Sequence, residues 1–527
     1  MMKKFITKTL LIVLLAVGIT ACSDDYFDVN TPSGTAQPEQ LRMSDLMAPV
    51  IHSTLEGQRS AELTFGNYVQ NFVSQGGGAA GQTEASGLWS QVYLYILPNI
   101  KVIKEKATAE GAIHYGAVAD ILTAINIGIA ADTWDNIPYK DATQGQENLF
   151  PTFDSQESIY NEVFLLLDSA IAALQATDDS GISLGRDDLI YGGDTEKWLR
   201  AAYTIKARFQ LHLININGLA ASGSAALASI ENGFISNADN FQMYYDDKNI
   251  NPWYSSEVLA RTTGNFHRDI ASQLVSSMNG EYYPFDNKNS DTIITNNITP
   301  FDPVNNDTTY VRTIDPRLPL MAEKPDEDED WLGFVSGGGG KSPIEDEEMP
   351  DTFLPANTFF KTDGYYTSID SPLSLITYAE AMFIKAEAAF LANDGNETSV
   401  GSTGDAYMAY MEGIRASMSM YGVDGSAYLS DSSIDVGEEN LMLNHIMKEK
   451  YIHNFLNPET FVDYRRYDFS DNVFEGLKIR EEEDSDDSEF FGQWFRRAIY
   501  PTSELNRNES NVIANQKSPI EPVWWDQ

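Results

Sequence analysis

Tyr378-Ala379-Glu380-Ala381-Met382-Phe383-Ile384-Lys385-Ala386-Glu387-Ala388-Ala389-Phe390 sets the fold class of this 527-residue chain. Its apolar residues recur at three- and four-residue steps, the period of a helix, and its alanines let a neighbouring helix approach closely. Glu380 and Glu387 lie seven residues apart and read as flanks of a packed helix rather than as a catalytic pair. The pattern repeats outward from this segment. Ile159 to Leu174, residues 197–216 (Trp198, Ala201, Ala202, Ile205, Phe209, Leu213), 374–391, 405–421 and 440–455 each carry an apolar stripe too broad for a helix that only faces water. The chain therefore reads as mainly α, made of helices that stack on one another.

The 378–390 segment resembles half of a tetratricopeptide repeat. No regular repeat period accompanies it, so helix pairs are expected to stack loosely instead of forming a uniform solenoid. Between about residues 218 and 372 the pattern changes to short segments rich in Asn, Asp, Gly, Thr and Pro with scattered aromatics. This loop-rich stretch holds the acidic run Asp326 to Asp330, the glycines 337–340 and a second acidic run from Glu345 to Glu348; a third spans Glu481 to Glu489. All three acidic runs read as solvated loops.

The N-terminus reads as an export signal. Lys3, Lys4 and Lys8 precede the apolar run Leu10 to Val17, which is too short to cross a bilayer core of about 30 Å. Ile19-Thr20-Ala21-Cys22 follows and resembles the bacterial lipobox, whose cysteine is acylated after cleavage. Cys22 is the only cysteine, so it has no disulfide partner within the chain. The expected organisation is a signal peptide over 1–21, a lipidated tether over 22–40 and a single domain over 41–527. Multiple acyl chains anchor a protein to a membrane without crossing it. Ser23-Asp24-Asp25-Tyr26 resembles the acidic surface-export tag of Bacteroidetes lipoproteins, which points to the cell exterior. The 78 acidic residues outweigh 35 Lys and Arg, giving a net charge of −43. Such a surface repels phosphate backbones, and nucleic acid is excluded as a partner.

Catalytic and metal signatures are missing or incomplete. Gly340-Lys341-Ser342 suggests a phosphate loop, but the first glycine of that motif would fall on Val335. Asp326, Asp328 and Asp330 alternate as in a calcium loop, yet Trp331 stands at the turn glycine and Gly337 at the final glutamate. An EF-hand fails on both counts, which leaves only a looser calcium site open; no other metal or cofactor is expected. The histidines at 52, 114, 212, 267, 445 and 453 form no His-Glu-x-x-His motif, and His445 and His453 are two helical turns apart, beyond the reach of one metal. There is no Gly-x-Ser-x-Gly elbow. No enzyme activity is expected.

Several segments, in order, resemble the SusD/RagB family of outer-membrane nutrient-binding lipoproteins, in its SusD-like subgroup. The strongest is Glu449-Lys450-Tyr451-Ile452-His453-Asn454-Phe455-Leu456-Asn457-Pro458-Glu459-Thr460-Phe461-Val462-Asp463-Tyr464-Arg465-Arg466. Arg496-Arg497-Ala498-Ile499-Tyr500-Pro501-Thr502-Ser503-Glu504-Leu505-Asn506 comes next, supported by Asp132 to Tyr139, Phe153 to Gln156, Lys197-Trp198 leading into Arg208, and Asp315 to Leu318. Arg465, Arg466, Arg496 and Arg497 suit bidentate binding of carboxylates and are expected to form buried ion pairs that hold loops to helices.

The resemblance implies a SusD-like fold with tetratricopeptide-like helix pairs and a loop-rich, partly irregular ligand-binding half. It also implies a hinged lid over a SusC-like TonB-dependent transporter, one that captures oligosaccharides at the outer membrane and breaks no bond itself. Sugar rings have apolar faces that aromatic side chains cover. The candidate platforms are Trp89, Trp253, Tyr254, Tyr282, Tyr283, Trp331, Tyr365 and Tyr366. Two rivals are a peptide-binding lid as in the RagB branch, for which acidic loops would favour cationic peptides, and a surface glycosidase.

Overall fold

The architecture follows from where the helices start and what they bury. The computed structural model describes residues 40–279, 314–328, 330–345, 349, 352–479, 490 and 492–527. The export signal, Cys22, nearly all of the tether, Tyr282, Tyr283, and most of the second and all of the third acidic run lie outside these residues. Residues Met43–Gln527 form one compact unit.

Ten helices make the frame: α1 (Met43–Tyr68), α2 (Leu97–Glu110), α3 (Ile113–Trp134), α4 (Gln156–Gln175), α5 (Thr195–His212), α6 (Leu219–Ile230), α7 (Tyr378–Ala392), α8 (Gly404–Tyr421), α9 (Leu443–His453) and α10 (Glu459–Arg466). Their starts are marked by side-chain caps. Ser155 accepts from Ser158 N ahead of α4, Asp194 from Glu196 N and Lys197 N ahead of α5, Thr377 from Glu380 N ahead of α7, and Thr403 from Ala406 N ahead of α8. Thr377 also corrects one expected boundary. The apolar stripe from residue 374 is divided there, and Leu373–Ile376 is a strand. Likewise α5 stops at His212 and a separate short helix covers Ile214–Asn217.

From α2 to α8 each helix packs on the next, α6 on α7 included. The chain leaves this stack after Ile230 and returns to it at Tyr378, so the loop-rich stretch is an insertion between two touching helices. Its expected start at 218 is too early, because α6 already occupies Leu219–Ile230. The α6–α7 contact is close: a Cβ on Gly223 would lie 2.8 Å from Ala388 O and 2.8 Å from Ala392 N. Helix α3 is long and apolar enough to cross a membrane by composition, but it is a core helix, 78% buried across its most apolar window.

The insertion is held by short strand pairs. β1 (Phe72–Ser74) pairs antiparallel with β3 (Arg268–Ile270), β2 (Phe241–Met243) with β8 (Leu373–Ile376), β4 (Ala322–Glu323) with β7 (Phe359–Phe360), and β5 (Lys341–Glu345) with β6 (Phe353–Pro355). Ile270 N donates to Thr358 O at 3.3 Å, which sets β3 beside β7.

The C-terminal segments are fastened to the stack by buried charges. Arg466 Nη2 lies 2.8 Å from Glu387 Oε2 on α7, and Lys450 Nζ lies 2.9 Å from Asp463 Oδ1. Arg208 of α5 holds Glu380 at 2.6 Å, and His212 Nε2 lies 2.8 Å from Glu459 Oε1. Arg317 reaches from the insertion to Glu449 of α9 at 2.6 Å. Arg496 pairs with Asp526 at 2.7 Å and Arg497 with Asp135 at 3.2 Å. Arg465 differs from the expected ion pair. It donates to three main-chain carbonyls, those of Asp132 (2.7 Å), Arg496 (2.8 Å) and Phe461 (3.2 Å). Its guanidinium also lies 4.0 Å and 4.7 Å from the ring centroids of Phe461 and Trp525. Carbonyl dipoles and ring faces replace a carboxylate there, and burial lowers Arg465 to about 10.

Burial pushes the Glu387 carboxyl up, but the Arg466 and Lys450 charges outweigh it and hold the group down at about 2. A carboxyl depressed from its ordinary 4.5 contributes stability above that pH and loses it as pH falls toward 2. Glu387→Gln is therefore expected to lower unfolding free energy at neutral pH by about 3–5 kcal/mol, the scale of breaking a buried pair. It should also shallow the acid-side loss of stability below 4.5 in denaturant titrations. Gly223→Ala is expected to lower stability by about 1–3 kcal/mol, because the added methyl would meet the α7 backbone and Leu391 Cβ, none of which can swing aside. Thermal melts of the variant check it.

Candidate ligand-binding site

Two glycine turns build the cavity of the loop-rich half. Gly337 N donates to Gly77 O at 2.9 Å, and a Cβ on Gly77 (φ +81°) would lie 2.8 Å from Gly340 N. Backbone therefore packs directly on backbone, which places the β5–β6 hairpin against the β1–β3 pair. Behind this contact lies a cavity of about 180 Å³, lined by Gln70, Gln273, Ser336, Lys341, Ser342, Phe353 and Lys478 among others. Gln70 Nε2 donates to Lys478 O at 2.5 Å, tying β1 to the segment after α10. Ser336 Oγ is buried and has no hydrogen-bond partner among the described residues. Phe353 is 41% exposed, and Lys341 Nζ stands 5.5 Å from its ring centroid. Amides, hydroxyls and ammonium groups beside a partly exposed ring can hydrogen-bond a polyhydroxylated ligand.

The structure does not gather the predicted aromatics at this cavity. Trp89 is 7% exposed, with its ring 5.1 Å from Trp134 in an edge-to-face contact and 4.3 Å from Tyr93. Trp253 is 1% exposed, covered by Phe72 and by the Arg59 guanidinium 5.0 Å from its ring. Neither presents a free face here. Tyr254 is half-buried at the start of a π-helical turn, with its N–H on Asn251 Oδ1 at 3.0 Å. Trp331 is half-buried under Lys324 Nζ, 5.6 Å from the ring. Tyr365 and Tyr366 come together with Tyr421, their rings 5.0 Å apart and Tyr365 4.6 Å from Tyr421. Tyr244, 69% exposed, stands near this cluster, and Gln242 Nε2 donates to its hydroxyl at 2.5 Å.

The alternating aspartates adopt a different role from a calcium loop. Asn357 Nδ2 donates to Asp328 Oδ2 at 2.9 Å and to Asp330 O at 3.1 Å. No group of three His, Cys, Asp or Glu side chains converges as a metal site among the described residues. His453 is buried between Ser417 Oγ (3.0 Å) and Thr377 Oγ1 (2.6 Å); burial and the Arg317 charge lower it to about 3, so it is neutral. His445 Nδ1 accepts from Met442 N at 2.9 Å, so both histidines serve packing and capping.

A stacked helical frame thus carries a long insertion, with a small polar cavity where the insertion meets the segments around Gln70 and Lys478. The chain belongs to the SusD/RagB family: residues 35–288 and 304–501 match the SusD-like family described as starch-binding associating with outer membrane. Its structure is similar to that of a chitin-binding protein, with a TM-score of 0.67 and 21% identity over 92% of this chain and 100% of that one. It is also similar to a chitin-binding SusD homologue from Flavobacterium johnsoniae (TM-score 0.64, 19% identity, 92% and 97% covered). A SusD homologue from Parabacteroides distasonis gives a TM-score of 0.66 at 22% identity, with 92% and 98% covered. No curated protein matches the chain.

Burial sets Trp89 and Phe353 apart. Trp89→Ala is expected to destabilise the protein by about 3–5 kcal/mol, the scale of emptying a buried aromatic position, while Phe353→Ala should change it by less than about 1 kcal/mol. Thermal unfolding of the two variants side by side checks this.

Proposed function

We propose that this protein is a lipid-anchored capture protein of the outer membrane that binds oligosaccharides at the cell exterior and passes them to a TonB-dependent transporter. The observation that carries the reading is the cavity beside Phe353, where a partly exposed aromatic ring adjoins amide, hydroxyl and ammonium groups. A starch-binding family description and a chitin-binding protein of the same fold support a glycan as the ligand. The lipobox-like Ile19 to Cys22 supports the anchor, and the family resemblance supports the transporter partner. Capture here involves no bond cleavage.

A sugar ring over Phe353 would hide roughly 50 Å² of apolar surface, worth on the order of 1 kcal/mol. Each hydroxyl bonded to Gln273, Ser336 or Lys341 adds about 1 kcal/mol net. Useful affinity therefore requires several such contacts at once. Half-buried Trp331 and Tyr254 and the Tyr365–Tyr366 pair remain further contact candidates.

Calorimetry against chitooligosaccharides, maltooligosaccharides and a panel of cationic oligopeptides tests the reading. An oligosaccharide is expected to bind, and Phe353→Ala to weaken it about fivefold with the melting temperature unchanged. Binding of peptides alone, or sugar retention indifferent to Phe353 and Gln273, would sink the assignment.

A further inference from the structure

A second cleft lies in the stack itself, between α2, α3 and the loop Tyr139–Gln144. Its volume is about 430 Å³, within the range of small-ligand sites, and no residue lines both it and the cavity beside Phe353. The floor is apolar, formed by Leu97, Ile100 and Ala142, all buried, with Tyr139 alongside.

Three ammonium groups stand at the rim of this strongly acidic chain, and they are not equivalent. Lys104 Nζ is neutralised by Asp120 at 2.6 Å. Lys140 Nζ is held by Ser158 Oγ at 2.8 Å and faces Asp154 at 3.7 Å. Lys101 has no ion-pair partner among the described residues; it donates only to the Thr143 carbonyl, at 3.2 Å. Thr143 has φ +62°, a left-handed conformation that a β-branched residue rarely adopts. The strained turn presents that carbonyl to Lys101.

One cation without an ion-pair partner above an apolar floor, with Glu105 and Gln144 on the same rim to accept and donate hydroxyl hydrogen bonds, suits a polyhydroxylated ring that has an apolar C–H face and a single carboxylate. We propose that this cleft is a second saccharide site that takes a hexuronate residue, with its carboxylate on Lys101 in place of the Thr143 carbonyl. It stands independently of the cavity beside Phe353.

Titration of the full chain with digalacturonate, followed by calorimetry, tests the proposal, with galactobiose as the uncharged counterpart. Digalacturonate is expected to bind, to weaken at least tenfold in Lys101→Gln, and to weaken as sodium chloride is raised. Lys248→Gln, an exposed change outside the cleft, should leave binding as it is. Phe353→Ala should also leave it unchanged, so loss of the other site would not mimic failure here. Equal binding to wild type and Lys101→Gln, no binding at all, or displacement by an equal concentration of inorganic phosphate would each overturn it.

Discussion

Glu380 and Glu387 sit two turns apart on α7, fully buried, and each holds a guanidinium from another part of the chain: Arg208 of α5 and Arg466 of α10. Desolvating such groups is expensive, and their attraction offsets it only when the geometry is right and the remaining hydrogen bonds are made. Lys450, Asp463, Glu459 and His212 complete those bonds. The arrangement adds little net stability over an apolar core, but any register that separated the partners would leave a bare charge inside the protein. It thereby fixes how the C-terminal helices dock on the stack, and through Arg317 and Glu449 how the insertion docks on them.

Much of this frame was legible in the sequence. The stripes at 159–174, 405–421 and 440–455 correspond to α4, α8 and α9 within a few residues. Reading Glu380 and Glu387 as flanks of a packed helix holds, as does the expectation of buried arginine pairs at Arg466 and Arg497, while Arg496 pairs with Asp526 from a half-buried position. Arg465 escaped because carbonyls and ring faces leave no signature in residue spacing. Helix α6 was absorbed into the loop-rich stretch, since Leu219 to Ile230 is mostly alanine, serine and glycine, with only Leu219, Leu227 and Ile230 as large apolar residues, and carries no strong stripe. Helix α3 is apolar on every side, so periodicity could not mark its face.

The site was less legible for a physical reason. Aromatic residues serve the core and a ligand equally well, and sequence cannot say which face of a ring is covered. Trp89 and Trp253 look like platforms in a glycine- and asparagine-rich context, yet Trp134 and Arg59 lie against them. Phe353 lies between an acidic run and a proline and carried no local signal; a two-residue alternation with Lys341 across the hairpin could be seen only once β5 and β6 were paired. The glycines at 337–340 were visible as part of the loop-rich stretch, whereas the close approach of their backbone to Gly77 was not.

Because α6 and α7 touch directly, the stack closes without help from what lies between them. The entropy lost in tying the ends of a long connection together grows only with the logarithm of its length, so doubling the segment would cost about 0.6 kcal/mol. Segments can therefore be lengthened, shortened or exchanged between Ile230 and Tyr378 at small thermodynamic expense, provided Gly223 still meets Ala388 and Arg317 still finds its acids. A lineage could reshape the loops around the cavity by rewriting this stretch while inheriting the same frame.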